Sequence, residues 1–227
     1  SNGLLRLARI NFYEGNYTNA VDILMRMYDY RREYNYSTTD ILDGLISSYS
    51  EMHSPDSTSK YLNLYIKESV CDYMKESSEM TADHRYMLWD TRGYDRIGMY
   101  GACCTRFDDG LPGSYYDLAL TYKGFLLKYS SIIEANIMSS NDEDLKSAYS
   151  DYKIARMEGA DDLGYKESLY MYMYSKHPEF YNLYTPPSWK DVKSSLQKKQ
   201  AAVEFVITWG ETKEENTYGA LIITPKS

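Results

Sequence analysis

The side chains best equipped for chemistry are three cysteines and three histidines. Cys103 and Cys104 stand side by side in "GACCTRFDDGLPG", and Cys71 lies apart. A nucleophilic thiolate needs a base within hydrogen-bond reach. The available imidazoles are His53 in a turn, His84 early in a helix and His177 just before Pro178. No spacing ties any of them to a thiol. Zinc coordination calls for paired Cys/His spacing, which the chain lacks. The acidic runs "NDEDL" and "GADDLGY" sit where helices begin. Carboxylates there offset the helix dipole, and the ligand pattern of a calcium loop is missing. The residues therefore predict no catalytic group, no metal site and no cofactor in this chain. Cys103 and Cys104 are expected to pack as small apolar residues between a helix and a loop.

What is unusual is tyrosine, with 26 Tyr against 5 Phe and 3 Trp. Tyr can replace Phe at helix contacts, or it can build a recognition surface with its hydroxyl at a wet rim. Tyr13, Tyr17 and Tyr49 are the candidate partner-binding residues, although each reads first as a packing residue in place of Phe. The net charge of −8 and the absence of a basic run beyond "QKKQ" argue against nucleic acid as a partner. No apolar stretch approaches the roughly 20 residues of a membrane span. Three cysteines without a disulfide framework fit a reducing compartment, and a cytoplasmic location is expected.

Residues 4–34 must position Tyr13 and Tyr17. Leu4, Leu7, Ala8 and Phe12 share one helical face, Gly15–Asn16 makes a turn, and Ala20, Ile23, Leu24 and Met27 mark a second helix. The spacing fits the tetratricopeptide pattern, with Ala20 and Leu24 in its Ala-x3-Phe places; Asn11 and Arg32 replace its usual Tyr and Pro. A second copy starts 38 residues on, with Leu42, Leu45, Ile46 and Tyr49, then Thr58, Leu62 and Tyr65 after a "SPD" turn.

Beyond it, "MTADHRYMLWD" reads as a helix with Thr81 as N-cap, and the glycines and proline of "TRGYDRIGMYGACCTRFDDGLPG" predict a loop or broken helix. A long helix is expected from Ser114, which would pair with Asp117 in a capping box. Its apolar stripe is Leu118, Tyr122, Phe125, Leu126, Tyr129, Ile133 and Ile137. Further helices are expected near 142–157 and 166–174. After two prolines, Ser188 and Asp191 restart a helix with Trp189, Val192 and Leu196 on its apolar side. Two strands close the chain. Val203, Phe205, Ile207 and Trp209 share a face opposite Ala202, Val206 and Thr208, and 218–224 is apolar on both faces, as in a sheet covered on both sides.

From Thr81 onward the chain resembles the junction of the TPR–CHAT family, bacterial proteins in which tetratricopeptide repeats precede a caspase-like cysteine peptidase domain. "MTADHRYMLW" is similar to its Thr…Arg…Trp helix and "YYDLALTYKGFLL" to its Tyr-Asp-x-Ala-Leu…Lys-Gly segment. "SWKDVKSSLQKKQAAVEFV" resembles its entry into the peptidase fold, and "YGALIITPK" its second strand. "GACCT" superficially resembles the family's nucleophile turn, but it precedes the first strand and follows no buried apolar strand.

The resemblance implies a mainly α fold of tetratricopeptide-like hairpins (1–75) and a helical junction (76–185), ending in a β-hairpin (186–227) that begins a caspase-like α/β domain. It implies a protein-interaction and regulatory region, truncated before the catalytic His and Cys, that binds a protein or peptide and could also pair through the edge strand 218–224. The alternative is a freestanding repeat scaffold without peptidase activity.

Overall fold

The computed structural model describes residues 2–77, 82–107, 111–157, 168, 172–173, 175–176, 187–210 and 212–225. The protein is mainly helical and ends in a two-stranded antiparallel sheet, as the sequence predicts. Helices α1 (Asn2–Tyr13) and α2 (Tyr17–Glu33) form the first hairpin, and α3 (Thr39–Glu51) and α4 (Pro55–Ser77) the second. The 38-residue repeat holds to the residue at the turns: α1 ends at Tyr13 and α3 at Glu51, while α2 starts at Tyr17 and α4 at Pro55.

The turn hydrogen bonds repeat as well. Asn16 N–H donates to the Asn11 carbonyl at 2.8 Å, and Ser54 N–H to that of Tyr49 at 3.0 Å. Ala20 and Thr58 occupy the tight contact between the helices of each hairpin, and both are fully buried. Leu24 and Leu62 follow one turn later, also buried.

The turn residue itself is left-handed in both copies, Gly15 at φ 79° and His53 at φ 52°. Glycine adopts this conformation freely, whereas a side chain there costs about 1–2 kcal/mol. His53 is thus an exposed turn residue in glycine's place. His53→Gly is expected to raise stability by about 1 kcal/mol in urea unfolding, with no loss of helix signal.

The third hairpin corrects the sequence reading. Residues 91–105 are not a loop: α5 runs unbroken from Ala82 to Thr105. Its glycines mark places where aromatic rings lie against the helix backbone. The Tyr122 ring covers Gly93, the Trp209 indole covers Gly98, and the Tyr115 phenol covers Gly101. A Cβ at Gly98 or Gly101 would fall under 3.0 Å from those rings. Helix α6 (Pro112–Ser139) likewise starts before the expected cap. Pro112 presets the first helical turn, so Ser114 is already inside the helix and buried. Its hydroxyl pairs with that of Ser59 on α4 at 2.6 Å. Leu118, Tyr122, Ile133 and Ile137 of the expected stripe are buried; the side chains of Phe125, Leu126 and Tyr129 lie outside the described residues.

Asp142 caps α7 (Glu143–Met157) by accepting from Leu145 N–H at 2.9 Å. Helix α8 (Trp189–Ser195) carries the expected capping box: Ser188 N–H donates to Asp191 Oδ2 at 2.8 Å and Asp191 N–H to Ser188 Oγ at 3.3 Å. Thr81, the run "GADDLGY", His177 and most of the helix expected near 166–174 lie outside the described residues, as does the side chain of His84.

Strands β1 (Ala202–Thr208) and β2 (Thr217–Ile223) pair with Phe205 opposite Ala220. The Val206 face of the hairpin, with Leu221 and Ile223, turns toward α5 and α6, and Val206 and Ile223 are buried. Helix α6 also occupies the outer edge of β1. Tyr115 Oη donates to the Ile207 carbonyl at 2.6 Å, and Lys123 Nζ donates to the Phe205 carbonyl and pairs with Glu204 at 3.2 Å. Trp209 N–H donates to the Gly98 carbonyl at 3.1 Å. On the opposite face Val203, Phe205, Tyr218 and Ile222 remain exposed.

Between the second and third hairpins lies a polar network within the aromatic core. Arg96 sits over the rings of Tyr65 and Tyr100, 5.5 and 5.8 Å from their centroids, and reaches Asp43 Oδ1 at 3.3 Å. Tyr100 Oη donates to the same oxygen at 2.7 Å. Burial first, and then the Asp43 charge, push the Tyr100 phenol well above its ordinary range, so it remains a donor at neutral pH. Among the described residues no helix is long and apolar enough to cross a membrane.

Candidate functional site

On the first hairpin, α2 presents Arg26 and Tyr30 one turn apart, and Met27 and Arg31 beside them. With Leu4 of α1 and Tyr36 and Ser37 of the α2–α3 turn, they line an open groove of about 840 Å³. The turn is held by Arg31. Its guanidinium grips Asp40 through two bonds, at 2.5 and 3.1 Å, and donates to the Ser37 carbonyl at 2.7 Å. A bidentate pair with a third bond to the backbone fixes the segment that carries Tyr36. Arg26 has no such engagement: among the described residues no carboxylate, hydroxyl or ring is bonded to it, and it is exposed. Met27 is buried at the groove floor, while Tyr30 and Tyr36 of the lining stand exposed. Tyr30 and Tyr34 pack ring to ring with centroids 4.8 Å apart.

The first hairpin also leaves part of its core face uncovered. Leu42 and Leu45 are 0% exposed, whereas their repeat equivalents Leu4 and Leu7 are 50% and 45% exposed. In the second copy those positions are covered by the first; in the first copy, among the described residues, they face outward.

The tyrosines singled out from the sequence divide. Tyr13 and Tyr17 come together on Phe12, with ring centroids 5.6 and 5.4 Å from it, at the α1–α2 turn. Tyr13 is 83% exposed. Tyr49 is half-buried and stacks on Tyr61 at 5.3 Å, where it packs between helices. None of the three lines the groove. Sequence reasoning passed over Arg26, Tyr30 and Tyr36, although two signals pointed there: the i, i+4 spacing of Arg26 and Tyr30, and the use of arginine for every cation before Lys60.

Cys103 and Cys104 are buried in the last turns of α5, within the helix. Burial pushes the Cys103 thiol up to about 11 and the Cys104 thiol higher still. A thiol held in that state is neither a nucleophile nor a metal ligand at neutral pH. In the native protein at pH 8 a maleimide is expected to label the exposed Cys71 at least about a hundredfold faster than the other two, with all three labelled in denaturant. Among the described residues no group of His, Cys, Asp and Glu is placed to hold a metal ion.

A second cavity, about 600 Å³, lies between α4, α6 and the start of α8. Asp117 of α6 faces it and accepts the Trp189 backbone N–H, which docks the first turn of α8 on α6. Desolvation pushes the Asp117 carboxyl up to about 6; Asp191 adds to this, while the Trp189 bond and Lys190 oppose it. The folded state thus holds a proton that the unfolded chain releases near 3.8, and stability falls as pH rises from about 4 to about 6. Asp117→Asn keeps an acceptor for Trp189 and removes the desolvated charge. The variant is expected to lose this pH dependence and to be more stable than the parent at pH 7.5 by about 1 kcal/mol, a discounted value because the carboxylate is partly solvated. Denaturant midpoints at pH 4, 6 and 7.5 read the effect.

No family model, curated protein or solved structure matches the chain.

Proposed function

We propose that the chain is a protein-interaction region of tetratricopeptide type that binds a protein or peptide in the groove of its first hairpin. Under this reading α5, α6 and the strand hairpin join it to a caspase-like peptidase domain in a bacterial cytoplasmic protein, as the resemblance of the junction implies. The groove carries the proposal: a buried methionine, exposed tyrosines beside it and an exposed arginine are residue types common in interface hot spots. Repeating helical hairpins supply the extended surface such binders use. Tyr13 and Tyr17 form a second aromatic patch at the α1–α2 turn. Under this reading a larger sheet would continue from the backbone edge of β2, and further helices would cover the face that exposes Phe205, Tyr218 and Ile222.

The test is selection from an unbiased displayed-peptide library against the whole chain. Selected peptides are expected to bind with micromolar affinity and to lose at least about tenfold on Tyr36→Ala. Absence of binders, or binders indifferent to the groove, would sink the reading.

One observation favours a freestanding scaffold instead. The β1 edge is already closed by Tyr115 and Lys123, so the hairpin is a completed cap on that side. In that case Phe205→Lys with Tyr218→Lys leaves stability unchanged and alters no partner contact.

A further inference from the structure

A basic surface surrounds α8, on elements separate from the groove of the first hairpin. Residues 187–201 hold four lysines and one aspartate, a balance of +3 in a chain of −8, which leaves −11 for the remainder. Lys190 and Lys193 lie over the Trp189 ring, each 5.8 Å from its centroid. Lys198 and Lys199 stand exposed at the tip of the turn 197–200. That turn is closed by Gln200 N–H donating to the Gln197 carbonyl at 3.0 Å and Gln197 N–H to Gln200 Oε1 at 2.7 Å. Among the described residues none of the four lysines is ion-paired. Nearby carboxylates leave the balance unchanged. Asp191 is already counted, Asp117 in the cavity wall is matched by Lys67 in the same wall, and Glu204 is paired with Lys123.

Two features distinguish these lysines from a solvated run. Lys199 is left-handed at φ 74°, a conformation that glycine adopts freely and a side chain adopts at a cost. The turn therefore carries a charge at its tip where glycine would be the more stable residue. The lysines also border the second cavity, of about 600 Å³: Lys67 and Lys190 line it, and its wall includes the buried Ile66 and Val70. Asp117 faces that interior, so a carboxylate belongs on the lysine rim and an apolar side chain against Ile66 and Val70. Unpaired positive charge selects an acidic partner. Exposed charges act over roughly 8 Å at physiological ionic strength. A duplex or an anionic membrane extends well beyond that distance and brings its charge against the acidic remainder of the chain, whereas a short segment meets the lysines alone. We propose that this surface docks a short acidic segment of a protein, with Glu or Asp side chains on Lys190, Lys193, Lys198 and Lys199 and an adjoining apolar side chain in the cavity.

The probe is a fluorescein-labelled peptide of Glu residues around a single Leu, read by anisotropy on the whole chain. It is expected to bind at least about tenfold more tightly than its Gln counterpart, and at least about threefold more tightly than the same peptide with Ser for Leu. Lys198→Gln with Lys199→Gln should abolish the preference for Glu. Arg6→Gln with Arg9→Gln removes two exposed charges from α1 and should leave the preference intact. Lys199→Gly separates charge from structure: it should raise the urea midpoint, because the turn relaxes, and yet weaken the Glu peptide at least about threefold. Both lysines are exposed, so the circular dichroism of these variants should match the parent.

No binding of the Glu peptide at about 1 mM, equal binding of the Glu and Gln peptides, or equal losses in the α1 and turn variants overturns the proposal. Equal binding of the Leu and Ser peptides removes the cavity from it and overturns that part. Tighter binding of duplex DNA or of phosphatidylserine vesicles, lost in the turn variants, assigns the lysines to a polyanion and overturns the acidic segment. A dimer in sedimentation that the turn variants dissociate assigns them to a second copy of this acidic chain, with the same consequence. Failure on any of these counts leaves the groove of the first hairpin untouched, because none of these lysines lines it.

Discussion

Gly101→Ala is expected to destabilise the protein by about 2–3 kcal/mol, although alanine is the better helix former by about 1 kcal/mol. The new methyl group would stand where the Tyr115 phenol now lies. That ring is buried, and its hydroxyl holds the Ile207 carbonyl of β1 at 2.6 Å and Thr208 Oγ1 at 3.1 Å. The phenol cannot swing aside without releasing the strand, so the cost includes the docking of the sheet as well as a local clash. Gly124 provides the control. It lies mid-helix in α6, and a methyl group added there would meet nothing within 4 Å, so Gly124→Ala should stabilise by up to about 1 kcal/mol. Urea unfolding of the two variants should therefore give changes of opposite sign. Equal stabilisation would mean that Tyr115 does not rest on α5.

Asp43→Ala should cost about 2–4 kcal/mol. It removes the acceptor shared by Tyr100 Oη and Arg96, leaving a phenol that is 0% exposed without a partner and a guanidinium between two rings without its counter-charge. The lower half of the range is favoured by the remaining solvent access of the ion pair, whose side chains are 31% and 33% exposed. Tyr100→Phe alone removes one donor and should cost about 1 kcal/mol. In combination the two changes should cost less than their sum, because the phenol orphaned by the first is deleted by the second. Strict additivity in this cycle would show that Tyr100 and Asp43 are not coupled.

Elements whose causes lie within a few residues were legible. Gly15–Asn16 marks its turn, Ser188 and Asp191 their capping box and Asp142 the start of α7, and the 38-residue repeat places both hairpins because each closes on its own Ala20 or Thr58 contact. The glycines of α5 misled for a physical reason. A glycine read locally weakens a helix, and what compensates at Gly98 is Trp209, more than a hundred residues away. Ser114 was displaced as a cap by Pro112, a competitor two residues upstream that reaches helical geometry first. At the candidate site, tyrosine count alone could not separate Tyr49, stacked on Tyr61, from Tyr36, exposed on the groove rim. Nor could sequence show that Asp40 would take Arg31 and leave Arg26 unengaged.

The seat of β1 on α5 and α6 bears on the order in which the chain assembles. Helices α1–α6 form from partners close in sequence, contacts of low order that are made quickly. The bond from Tyr115 to Ile207 instead closes a span of 92 residues and waits for the helical surface that receives it. During synthesis the glycine face of α5 stands open until residues 202–209 emerge, and the strands arrive after the helices that receive them. By the same ordering they leave before those helices, so a pull or an opening event on the strand hairpin uncovers Gly98 and Gly101 before it disturbs the repeats.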